Sequence, residues 1–115
     1  MKAEEYRVMY QVEDFHCLAD AGAVIVSGSQ SHQPQAMEFY KDAFIHYGLG
    51  NLFFDQYLLG EPMRQGFIDL HVFYDGRYIS TELVTIYFVD FARPRFMAPD
   101  ERIDLLGALY MASGW

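Results

Sequence analysis

Cations are scarce in this 115-residue chain. Two lysines (Lys2 and Lys41) and six arginines face sixteen acidic residues, for a formal net charge of −8. Phosphate recognition needs clustered Lys and Arg, so this balance opposes direct nucleic-acid binding and adhesion to an anionic membrane. Cysteine is nearly absent: Cys17, alone, cannot close an internal disulfide, which fits a reducing compartment. Long apolar runs are missing too. Stretches such as Ala23–Val26 and Ile86–Val89 span four residues, where a membrane-crossing helix needs roughly 20. The start, MKAEEYR, lacks the basic-then-apolar layout of a signal peptide, so the expected location is cytoplasmic. With no repeat, no low-complexity tract and no linker beyond the seven-residue loop Gly28–Pro34, one domain over residues 1–115 is expected.

Aromatic residues are abundant. Ten Phe, nine Tyr and one Trp contribute to an apolar fraction of 52%, with 21% charged, which excludes a disordered chain. A small acidic domain with this much large apolar surface points toward association with a partner.

Periodicity predicts the elements. Tyr6–Val12 alternates apolar and polar and reads as a strand. Asp14 is placed to cap a helical turn over Phe15–Ala21 that Gly22 ends. Ala23–Ser27 reads as a short strand buried on both faces, its direction relative to the first left open. Pro34–Tyr47 reads as the main helix, with Met37, Tyr40, Phe44 and Tyr47 as its stripe and Gly48 at its end. Asn51–Leu59 reads as a shorter helix, although its aromatic content keeps a strand open. Asp100–Ala112 reads as a helix with Ile103, Leu106 and Tyr110 on one face and a close backbone approach at Gly107.

The clearest local signal is Asp75-Gly76 between alternating apolar residues, which marks a two-residue hairpin turn. Its simplest register opposes Ile68/Leu83, Leu70/Thr81 and Val72/Ile79 on an inward apolar face. Asp69/Glu82, His71/Ser80 and Phe73/Tyr78 then share the other face. The second strand continues toward Phe91 and suits a central position. The expected fold is α+β: an antiparallel or mixed sheet of about four strands, including the Phe67–Phe91 hairpin, with three to four helices mainly on one face.

Candidate sites follow from that frame. Directly opposed Asp69 and Glu82 repel, which a basic partner would relieve, with His71 and Tyr78 beside them. On the Pro34–Tyr47 helix, Glu38, Asp42 and His46 recur every four residues as an acidic stripe. No metal or cofactor signature accompanies them, and no cofactor is expected. Cys17 reads as a small buried group, since neighbouring His16 cannot face it on a helix. Gly48-Leu49-Gly50 is no phosphate loop. Arg93, Arg95 and Arg102 are expected to pair with Asp90, Asp100 and Glu101.

The functional expectation is a non-enzymatic acidic binding protein that occupies and inhibits a basic partner surface, such as a nucleic-acid-binding groove. Immunity, anti-restriction and anti-CRISPR proteins of phage or mobile elements are the class examples. Its partner-binding residues would be Asp69, His71, Glu82, Tyr78, Glu38 and Asp42. The alternatives are a small enzyme or ligand-binding domain with a site near Asp69, His71 and Glu82, and a self-assembling subunit such as a homodimer.

Overall fold

The computed structural model describes residues 3–52, 60–90 and 93–115. Among them are two α-helices and two three-stranded sheets, in the order α1 (Ala3–Asp20), β1 (Ile25–Ser27), β2 (Met37–Tyr40), β3 (Ala43–His46), β4 (Gln65–Tyr74), β5 (Arg77–Val89), β6 (Arg93–Phe96) and α2 (Pro99–Ala112). A 3₁₀ turn, Glu61–Arg64, leads into β4. The expected single sheet under three to four helices is therefore corrected to two small sheets with two helices.

The N-terminal strand expected at Tyr6–Val12 is helix. Its alternation competes with a second periodicity: Val12, Phe15, His16 and Ala19 fall at helical spacing and form the half-buried side of α1. The expected helical turn at Phe15–Ala21 is the end of this helix. Gly22, at φ 117°, closes it, with the Gly22 and Ala23 N–H groups returning to the Ala19 and Leu18 carbonyls.

The helix expected over Pro34–Tyr47 is instead a hairpin. β2 and β3 pair antiparallel from Met37↔His46 to Tyr40↔Ala43, and Lys41 turns the chain at φ 53°. Phe, Tyr, His and Ile, which crowd this stretch, are poor helix formers and good strand formers. β1 pairs parallel with β3, making β3 the central strand. All four β3 residues are buried. Ile45 and then Tyr47 pack with Val26 under Val12 and Phe15 of α1. Phe44 faces the other way, into a core with Met37, Phe67, Leu105 and Leu109. The strand expected over Ala23–Ser27 is shorter and lies at an edge, with only Val26 fully buried.

The second sheet has the order β4-β5-β6, all antiparallel. Asp75 (φ 51°) and Gly76 (φ 73°) form the expected turn, both at positive φ as a type I′ geometry requires. β5 is central and runs to Val89; Phe91 lies outside the described residues, as do residues 53–59 of the segment read as a second helix. Gly50↔Gly66 bridges the sheets, and the Phe67 N–H donates to the Leu49 carbonyl.

α2 forms where expected and ties the sheets together. Arg102 donates to the Leu83 carbonyl of β5, and the Met37 N–H of β2 donates to Ser113 Oγ just past the helix. Its buried side is Leu105 and Leu109, whereas Ile103, placed inward by the periodicity, is 69% exposed. Among the described residues, a Cβ at Gly107 would meet nothing within 4 Å, so the expected close backbone approach is not found there.

Candidate functional site

A bulge between Val72 and Phe73 moves the hairpin register by one residue. Phe73 still opposes Tyr78, but beyond the bulge Asp69 faces Leu83, Leu70 faces Glu82 and His71 faces Thr81. Asp69 and Glu82 therefore lie on opposite faces and do not form the expected carboxylate pair. The inward face is also the reverse of the one expected: Phe67, Asp69 and His71 point to the core side, while Ile68, Leu70 and Val72 point out.

The inward carboxylate meets an inward histidine. His46, on β3, places Nδ1 2.6 Å from Asp69 Oδ2, and the two side chains are 0% and 3% exposed. A carboxylate acceptor fixes the imidazole proton on Nδ1. The Phe67 ring stands edge-on to the His46 ring at 4.9 Å, and Phe44 packs at 6.3 Å. His46 Nε2 and Asp69 Oδ1 have no hydrogen-bond partner among the described residues. An Asp–His dyad can orient a general base, but this Nε2 is sealed in the core, so the pair links one sheet to the other. His71 continues the polar track: its Nδ1 lies 2.7 Å from Thr81 Oγ1, which the Tyr78 hydroxyl also meets at 2.6 Å.

The expected acidic stripe is dispersed. Glu38 lies on β2, Asp42 in the β2–β3 turn and His46 inside. Glu38 is a local anchor that takes hydrogen bonds from His16 Nε2 at 2.9 Å and from the Tyr47 hydroxyl. Burial, reinforced by Glu38, pushes the Tyr47 hydroxyl well above the usual tyrosine range. Asp20 binds the Lys41 ammonium and the Tyr40 hydroxyl, and the Lys41 hydrogen bond holds its carboxyl below the ordinary value. Cys17 is exposed instead of buried. Among the described residues no group of three or more His, Cys, Asp or Glu is placed to hold a metal ion.

Arg93 pairs with Asp90 and Arg95 with Glu101, whereas Arg102 is spent on the Leu83 carbonyl. The Arg95 fork spans both Glu101 oxygens at 2.7 and 2.9 Å, and the Ala98 N–H donates to the same carboxylate at 2.9 Å. These contacts, Arg95 first, pull the Glu101 carboxyl down to about 2. A depressed carboxyl contributes stability that is present above its ordinary value near 4.5 and is lost as pH falls toward about 2. Glu101→Gln should therefore melt lower at neutral pH and lose less on acidification across that window. Thermal melts of both proteins through the window check this; parallel acid curves contradict it.

The feature that sequence patterning missed is the outer face of the second sheet. Ile68, Leu70 and Val72 stand exposed in a row along β4, and Glu82 lies opposite Leu70. Toward β6 the same surface opens into a mostly apolar hollow of about 390 Å³ bounded by Leu52, Ile68, Ile86, Pro94, Arg95 and Phe96. The alternation of Ile68, Leu70 and Val72 was the available signal; its direction could not be read without knowing that Asp69 has a partner inside.

Among the described residues, no helix is long and apolar enough to cross a membrane. A family model described as bacterial capsule synthesis protein PGA_cap matches residues 3–56, a little under half of the chain. No curated protein matches the sequence. The similarity covers α1 and the β1–β3 sheet, and the exposed row on β4 lies beyond it.

Proposed function

We propose that this chain is a non-enzymatic, cytoplasmic binding protein that occupies a partner's surface through the outer face of the β4–β5–β6 sheet and inhibits that partner. The observation that carries the reading is the exposed row Ile68, Leu70 and Val72. An antiparallel sheet with one solvated face normally turns its polar side outward. Here the side bearing Asp69 and His71 is turned in, and a contiguous apolar row is left out, which is the mark of an interaction surface. Glu82 beside Leu70 and the net charge of −8 favour a partner whose apolar patch is flanked by Lys or Arg. A nucleic-acid-binding groove is one such surface, as blocked by immunity, anti-restriction and anti-CRISPR proteins. Of the residues expected to bind, Glu82 remains on this face; Asp69 is structural.

Affinity capture from the host at rising salt tests the proposal. A partner held through complementary charge should be retained at about 50 mM salt and largely released by a few hundred millimolar. A captured set unchanged by salt contradicts the basic partner. A second reading, service in bacterial capsule synthesis, rests on the match over residues 3–56. It predicts capsule-synthesis enzymes in the capture, whereas concentration-dependent mass by light scattering would mark self-assembly.

A further inference from the structure

We infer that two copies of this chain pair through the outer edge of β4, antiparallel about a two-fold axis at Leu70, and so join their β4–β5–β6 sheets into one. The Phe67 N–H points away from β5 and donates to the Leu49 carbonyl. Alternation along the strand then aims the N–H and C=O groups of Asp69 and His71 at the same edge, while those of Ile68, Leu70 and Val72 turn to β5. Asp69 is only half-buried as a residue although its side chain is 3% exposed, so it is the Asp69 backbone that solvent reaches. Among the described residues, no backbone hydrogen bond from outside the sheet reaches Asp69 or His71.

An open edge is a template for another strand, and short length, Lys, Pro or a bulge normally guards against it. The other outer strands are guarded. β1, β2 and β6 have three or four residues, and β6 carries Arg93-Pro94-Arg95. β4 has ten residues, with no Lys, Arg or Pro from Ile68 to Val72. The one carboxylate of that stretch, Asp69, is turned inward onto His46 and does not protect the edge. The bulge between Val72 and Phe73 ends the regular ladder, which limits pairing to Ile68–Val72.

This stretch is its own complement. Centred on Leu70, the antiparallel register sets Leu70 against Leu70 of the second copy, Ile68 against Val72 and Asp69 against His71. Asp69 and His71 exchange their backbone hydrogen bonds across the axis, and no like charges are opposed. On the outer face, Ile68, Leu70 and Val72 of both copies, 36% to 49% exposed in one, close into a single apolar patch. A two-fold pairing requires a strand whose positions match their own reverse, and a foreign strand requires no such match. The pairing is independent of the partner proposed above and would present it with a doubled apolar row.

Light scattering and sedimentation of the full chain at ~300 mM salt, where repulsion between acidic copies is screened and a basic partner is released, test the pairing apart from capture. Mass should pass from monomer to dimer with a Kd of about 10 μM. Leu70→Lys, which opposes two ammonium groups across the axis, should weaken the dimer at least about thirtyfold with the unfolding temperature nearly unchanged. Disulfide trapping in a Cys17→Ser background, with oxidised glutathione as the oxidant, reads the register. Opposed residues that do not share hydrogen bonds hold their Cα atoms about 4.5 Å apart, inside the roughly 4.4–6.8 Å that a disulfide spans. Leu70→Cys should therefore trap a covalent dimer at least about tenfold faster than Ile68→Cys or Val72→Cys alone, and a mixture of the latter two should trap a heterodimer. A monomer mass up to ~500 μM overturns the proposal, as does a dimer that Leu70→Lys leaves intact or trapping equally fast at all three positions.

Discussion

Asp69→Ala should lower folding stability by about 3–5 kcal/mol, the usual cost of removing one partner from a buried polar or ionic pair. The side chain is 3% exposed and holds His46 Nδ1 at 2.6 Å. Its loss strands a buried imidazole donor between the Phe44 and Phe67 rings. For a domain of this size the melting temperature should fall by more than about 10 °C. Asp69→Asn keeps an acceptor and should cost less. Replacing both members with apolar residues of similar volume, His46→Leu with Asp69→Val, should cost less than the two single changes together, because neither partner is then left unpaired. Thermal and urea unfolding of the four proteins measure the cycle. A cost below about 1 kcal/mol for Asp69→Ala, or strict additivity, contradicts a pair that joins the two sheets.

Gly28→Ala should be comparably damaging for a steric reason. A Cβ there would stand 1.9 Å from the Tyr47 carbonyl oxygen and 3.0 Å from the Phe15 ring. The obstructing atom is backbone, and it cannot retreat freely. The Gly28 N–H donates to the His46 carbonyl at 2.8 Å, and the Gly28 carbonyl accepts from the Leu49 N–H. Forced separation breaks the parallel pairing next to the buried dyad and costs about 3 kcal/mol. Gly107→Ala is the matched control: its Cβ meets nothing within 4 Å, and the helix should gain up to about 1 kcal/mol. Equal melting temperatures for Gly28→Ala and the parent would contradict the close approach.

What was legible in the sequence is what short-range chemistry fixes. The Asp75-Gly76 turn, the long central β5 and the helix starting at Pro99 each rest on residues adjacent in the chain. The failures share a cause: a local pattern that fits two structures is decided by distant partners. Residues 37–47 suit a helical stripe and also a hairpin, and the choice falls to the hairpin because β1 pairs with β3 and buries it on both sides. In the Phe67–Tyr74 strand, Ile68, Leu70 and Val72 form the more apolar set, so hydrophobicity alone turns the strand the wrong way. Asp69 and His71 are held inside by hydrogen bonds to His46 and Thr81, and His46 lies on another sheet. The bulge between Val72 and Phe73 then separates Asp69 from Glu82, which no pairing rule counted from the turn anticipates. The candidate site was legible in composition, as surplus apolar surface, and illegible in location.

The central claim is that the exposed row on β4 is where this protein meets its partner. It is tested by affinity capture with the parent chain beside Leu70→Thr/Val72→Thr, a pair of changes that keeps strand propensity while removing the apolar surface. Both side chains are about half exposed, so the variant should fold with nearly unchanged stability. At low salt the parent should enrich a defined partner carrying a basic, partly apolar surface, and the variant should lose at least about 90% of it, because anchors near the centre of an interface carry most of its energy. Equal capture of the same partner by both proteins would contradict the account.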